Sequence, residues 1–295
     1  MRYHAHHRLT APALTSAALW RLLAGCALTA VIFVALTAGY AVLCDTLLPA
    51  AAWGPDGNGL VEATTAWGVL VNLFLFALLI AALGMVLPIV HHRRLPSLLG
   101  PGALAWRQAR RAGGYVLGIY VVVSLLPLPD GFAIHPKLPL DTWLMLLPAT
   151  LAGLLIQVSA EEILFRGYIQ SQLAARFSHP AVWIVLPSVL FGLLHYQPGV
   201  MGDATWLIVI WAMLFGLAAA DLTARTGTLG PAIALHLINN LSAIALVAPQ
   251  GNFDGLALYT YPFGPEDSAM LMRWLPVDLL VLLCSWLAAR LALRV

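Results

Sequence analysis

Three short stretches hold polar residues inside otherwise apolar sequence: SAEEILFRGYI (Ser159–Ile169), FGLLHY (Phe191–Tyr196) and ALHLINN (Ala234–Asn240). They supply two adjacent carboxylates, Glu161 and Glu162, an arginine, Arg166, two histidines, His195 and His236, and two amides, Asn239 and Asn240. A carboxylate or imidazole can take a proton from water, and an amide can donate to a developing oxyanion, which are the components of amide-bond hydrolysis. The same groups could also relay protons through a carrier. A charge inside a bilayer costs about 2.5–3.5 kcal/mol even on insertion scales, so ionisable residues at such positions point to function.

Helical spacing sorts these groups. Glu162 and Arg166 are four apart, acid before base, and share a face as an ion pair. Glu161 is rotated by about 100° from its neighbour and is left out of that pair. Phe191 and His195 are also four apart, as are His236 and Asn240, so each pair projects from one side of its helix. Measured from the Phe177–Pro180 turn, Glu161 and His195 both lie about 22–24 Å along their helices and can face each other in an antiparallel hairpin. His236, about 10 Å from the start of its segment at Leu229, reaches the same level if the hairpin tip protrudes from the membrane. The fifth segment then ends within the membrane at His195, with Gln197–Asp203 as non-helical chain. Irregular backbone at that depth requires neighbouring protein or a hydrated cavity, here one opening towards the cytoplasm.

The elements that must position these groups follow from composition. Of 295 residues, 61% are hydrophobic and 9% charged, against roughly a quarter charged in a soluble domain. Such a chain cannot cover a water-facing surface, and it is expected to be an all-α, polytopic membrane bundle. Eight apolar segments are read at about 20–44, 65–90, 112–128, 142–175, 181–196, 204–224, 229–248 and 271–293. Residues 1–19 are expected as a cytoplasmic tail and 20–295 as a single transmembrane domain, with its chemistry at about 140–250. The start MRYHAHHRLT lacks the pattern of a cleaved signal, so it is expected to be retained. The seven other histidines fall in the tail or loops and are expected to be solvated. Tyr259, Tyr261, Phe263 and Trp274 are expected as an outer aromatic belt. Cys26, Cys44 and Cys284 have no zinc-like spacing and are read as packing residues. A net charge of +2 without a dense basic run argues against nucleic acid as a partner.

Orientation follows from the cations. With the N-terminus inside, thirteen of the fifteen Lys and Arg fall on the inner side and only Lys137 and Arg273 on the outer. Nine acidic residues, Asp56 and Glu62 among them, fall in outer loops. Both signs of charge fit eight spans with cytoplasmic ends; the expected location is a bacterial inner or plasma membrane.

At these residues the sequence resembles the CAAX prenyl protease and bacteriocin-processing (CPBP, Abi) family of intramembrane proteases. The family pattern is Glu-Glu-x-x-x-Arg, Phe-x-x-x-His and His-x-x-x-Asn or Asp on successive helices, here Glu161–Arg166, Phe191–His195 and His236–Asn240. The resemblance covers roughly residues 140–250 and implies endopeptidase activity on membrane-associated peptide or protein substrates. By position it implies Glu161 as the general base, His195 as its partner, His236 and Asn240 as water-binding or oxyanion-stabilising groups, and Glu162 with Arg166 as a structural pair. The family is described both as metal-independent glutamate proteases and as metalloproteases. Glu161, His195 and His236 match a zinc ligand set by type, but using Glu161 as a ligand removes the base. Chemistry with no cofactor is the favoured expectation and zinc the alternative.

Two other classes share these residues. A proton-coupled transporter would use Glu161, His195 and His236 as a relay, but the chain shows no repeated halves. A non-hydrolytic scaffold or immunity protein would keep the fold without the reaction.

Overall fold

The computed structural model describes residues 3–49 and 63–295. The expected loop residues Asp56 and Glu62 lie outside the described residues. Within them the chain is almost wholly helical, as the composition demands. The principal helices are α1 (Leu19–Leu47), α2 (Ala66–His91), α3 (Gly102–Ser124), α4 (Leu140–Glu162), α5 (Pro180–Leu193), α6 (Thr205–Thr226), α7 (Gly230–Asn240) and α8 (Ser268–Leu293). Helix α4 continues through a π-helical stretch, Ile163–Gln170, into Ser171–Arg176, and α7 continues through a second, Leu241–Leu246.

Each expected segment is helical, but fewer are full spans. Among the described residues five stretches are long and apolar enough to cross a membrane: Leu19–Leu47, Ala66–His91, Leu140–Arg176, Pro198–Thr226 and Ser268–Leu293. Pro180–Leu193 and Gly230–Leu246 are apolar but shorter. Helix α3 starts ten residues before the expected segment because Arg107, Arg110 and Arg111 are helix formers that an apolar-run reading discards.

Local chemistry sets the helix ends. Asp267 caps α8 by accepting from the Met270 N–H at 3.1 Å, and Thr65 caps α2 through the Gly68 N–H at 3.0 Å. Gly227 ends α6 in the left-handed region, φ 69°. A Cβ at Gly227 would collide with the Ala5 carbonyl, so the glycine also lets the N-terminal segment approach.

Two non-membrane features close the ends of the bundle. At one end, His135–Pro136, Tyr259–Thr260 and Val247–Ala248 form a three-stranded sheet in that order. Beneath it Asp254, 1% exposed, accepts from Lys137 Nζ at 2.9 Å and the Gly251 N–H at 3.0 Å. Phe132 packs against Tyr261, Phe263 and Trp274. Three of the four residues expected as an outer aromatic belt thus cluster around Phe132 at this end of the bundle.

At the other end, residues 4–16 fold into short helical turns against the bundle. Leu9 and Ala13 are fully buried, the Tyr3 hydroxyl donates to Asp221 at 2.8 Å, and Arg8 donates to the Thr226 carbonyl at 3.1 Å. Two of the histidines expected to be solvated are buried. His6 packs on the Trp183 ring, centroids 4.8 Å apart, and His91 contacts Ser16, Tyr168 and Gln172. Polarity alone had placed them in water; an aromatic wall and a polar cluster hold them inside.

Candidate active site

The polar groups of the three stretches meet where α4, α5, α6 and α7 pack together. Small residues allow that approach: a Cβ at Gly216 of α6 would press on Ser188 of α5 and on the Arg166 guanidinium.

Glu162 is fully buried and Arg166 is 1% exposed. Glu162 Oε1 accepts from Arg166 Nη1 at 3.0 Å and from His236 Nδ1 at 2.8 Å. An ionised carboxylate only accepts, so Nδ1 of His236 carries the hydrogen, and in the neutral ring Nε2 presents its lone pair. Nε2 lies 3.7 Å from Glu161 Oε2, beyond direct hydrogen-bond reach and within the span of one bridging water.

Phe191 organises the group from α5. Its ring lies 4.5 Å from the Arg166 guanidinium carbon and meets the His236 ring edge-on at 6.0 Å. It also sits 4.9 Å from the His195 ring. The stretch's phenylalanine therefore supplies a π face to the arginine as well as packing. His195 is half-buried, and its Nδ1 donates to the Phe191 carbonyl at 2.9 Å, which leaves Nε2 as the free nitrogen. The nearest imidazole contact made by Glu161 is with His236, not with His195, which lies just past the end of α5.

Beyond His195 the chain is not irregular, as it was expected to be. Pro198–Met201 and Gly202–Ala204 are short helical turns, and the Gln197 N–H is taken up by Thr205 Oγ1 at 2.8 Å. Local turns and a side chain satisfy the backbone that the reading of 197–203 had left to solvent.

Sequence reasoning missed Gln157. Its Nε2 donates to Glu161 Oε1 at 2.7 Å, and its Oε1 accepts from Asn240 Nδ2 at 3.0 Å. It was passed over because the search was for charge; its i, i+4 spacing to Glu161 was the available signal. Asp278, which lies in α8 and bonds the Trp274 side chain, and Asp221, paired with Arg225 at 2.7 Å, were passed over for a different reason, having been counted within apolar runs.

Both π-helical stretches begin directly after site residues, at Ile163 after Glu162 and at Leu241 after Asn240. Such turns insert a residue into an α-helix and occur often at functional sites. Among the described residues no group of three His, Cys, Asp or Glu side chains is arranged to hold a metal ion.

A protein-family model described as Rce1-like, type II CAAX prenyl endopeptidase, matches residues 142–242, which contain every residue of this cluster. The matched region runs from the second residue past the start of α4 to the beginning of the second π-helical stretch. An uncharacterized protein of Bacillus subtilis (strain 168), YyaK, is 25% identical over 191 residues, covering 62% of this chain and 62% of that protein. No solved structure matches.

Proposed function

We propose that the chain is an intramembrane endopeptidase, CAAX-protease-like, with Glu161 as its general base. The observation that carries this reading is the state of Glu161 itself. One carboxylate oxygen is held by Gln157, while the other is buried, has no hydrogen bond, and faces His236 Nε2 across the width of a water.

A water between Glu161 Oε2 and His236 Nε2 donates one hydrogen to each. Glu161 takes a proton from it as its oxygen attacks the peptide carbonyl carbon. The carbonyl oxygen becomes an oxyanion, to which Asn240 Nδ2 can offer its second hydrogen. Collapse breaks the C–N bond as Glu161 returns the proton to the departing nitrogen. His195, with Nε2 free, is the proposed second imidazole for water or substrate, and the Glu162–Arg166 pair fixes the His236 tautomer. No step of this proposal uses a metal. In this reading the eight helical segments lie in a bacterial plasma membrane with cytoplasmic ends, the lipid bilayer is the partner and the site opens towards the cytoplasm, which the cation bias supports.

The test uses purified protein in detergent with two quenched-fluorescent probes: a peptide ending in a prenylated cysteine plus three residues, and a pool of unmodified apolar peptides. Wild type is expected to cleave at least one. Glu161→Gln is expected to fold and to lose about 10²-fold or more of that rate. Undiminished cleavage by folded Glu161→Gln overturns the assignment.

A further inference from the structure

The hydrogen bond from Gln157 to Glu161 is the last link of a longer chain. The Tyr120 hydroxyl of α3 donates to Asn239 Oδ1 at 2.8 Å. Asn239 Nδ2 donates to Asn240 Oδ1 at 3.2 Å, Asn240 Nδ2 to Gln157 Oε1 at 3.0 Å, and Gln157 Nε2 to Glu161 Oε1 at 2.7 Å. Four side chains from three helices thus run in one direction and end on one carboxylate oxygen.

That direction is not free to reverse. Glu161, once ionised, can only accept, so Gln157 must turn its NH₂ towards it and its oxygen towards α7. Asn240 must then turn its NH₂ to Gln157, and Asn239 its NH₂ to Asn240. The oxygen of Asn239 is left facing α3, where a hydroxyl donor is required, and Tyr120 supplies it. A phenylalanine at Tyr120 would leave the half-buried Asn239 oxygen without that donor and free the amides to flip. Hydrogen bonds aligned in this way polarise one another in a poorly hydrated interior.

We propose that Tyr120, Asn239 and Gln157 are positioning residues that lock Glu161 in the rotamer leaving Oε2 free to act on water. The inference rests on the proposed role of Glu161 as base, but it assigns work to a tyrosine outside the three motifs and outside the 142–242 family match. It also gives Asn240 two roles, as oxyanion donor and as third link of the chain.

The test has one arm that needs no substrate. The chain contains four glutamates, Glu62, Glu161, Glu162 and Glu266. In protein labelled with ¹³C at the glutamate carboxyl carbon, the Glu161 resonance is assigned by its loss in Glu161→Gln. Tyr120→Phe is expected to move and broaden that resonance while leaving Glu266 in place. Tyr115→Phe, exposed on the same helix, is expected to move neither.

In the second arm, with the cleaved probe peptide, Tyr120→Phe is expected to lower kcat about 5–10-fold with KM changed less than about twofold. Because the residues are links in series, Tyr120→Phe with Gln157→Leu should be no slower than Gln157→Leu alone. An unmoved Glu161 resonance in folded Tyr120→Phe, or fully additive losses in the double variant, overturns the relay. If wild type cleaves no probe, the carboxyl resonance decides the relay by itself, and the hydrolytic reading fails separately.

Discussion

His236 Nδ1 lies 2.8 Å from Glu162 Oε1, so the histidine of α7 is oriented by the carboxylate that also holds Arg166. One oxygen thereby serves two helices, and disturbing it changes both the fold and the tautomer of an imidazole facing Glu161.

Arg166→Ala removes the cation from a fully buried carboxylate. Breaking a buried pair of this kind costs about 3–5 kcal/mol, so folded protein in the membrane is expected to fall. Combining it with Glu162→Gln removes the stranded charge and should restore part of the yield, measured by detergent-resistant folded fraction. The double variant is not expected to regain activity, because a glutamine can flip and offer its NH₂ to His236. Normal yield of Arg166→Ala alone would show that Arg166 faces water or substrate.

Chelation separates the two chemistries open to this donor set. Cleavage of the probe peptide is expected to persist after prolonged dialysis against a strong chelator. Activity that disappears and returns with zinc would make Glu161, His195 and His236 ligands and would require another base.

Docking of the N-terminal turns is expected to weaken in acid. Burial pushes the His6 imidazole down to about 4, from an ordinary 6.5. The docked state holds His6 neutral, so its stability is full above about pH 6.5 and declines as pH falls towards 4, by about 3 kcal/mol in total. Hydrogen exchange of residues 3–16, corrected for intrinsic rates, should accelerate across that window. His6→Phe keeps the contact with Trp183 and should remove the acceleration; an identical pH response in that variant would sink the explanation.

The proposed topology is checked by reporter fusions. Fusions after Pro129 and Pro249 are expected on the outer side, and those after Arg94, Ser178 and Arg225 on the inner side. An outer-side signal after Ser178 would turn the site to face the opposite compartment.

Helix existence was legible because an apolar chain has few ways to satisfy its backbone in lipid, and all eight apolar runs are helical. The spans were less legible, since α3 mixes arginines with apolar residues and α5 and α7 are short. Glu161, Glu162, Arg166, His195, His236 and Asn240 were visible as charge or polarity against an apolar background. Gln157 and Tyr120 were not, since a single amide or phenol is common in membrane helices and only tertiary packing joins them. The burial of His6 and His91 depends on partners more than 70 residues away in sequence, which no local pattern encodes.

The π-helical stretch after Glu162 divides one long rod into two sectors of different azimuth. The part before it packs on α2 and α7; the stretch itself packs on α5, α6 and the Pro96–Leu99 turn. A single inserted residue is the difference between these settings. Excising one of residues 163–165 would put the arginine three residues after Glu162 instead of four, about 100° of helical arc away from the face it now shares with Phe191, while leaving Glu161 where it is. The register of this one rod, counted in single residues, therefore decides whether the base and the ion pair belong to the same site.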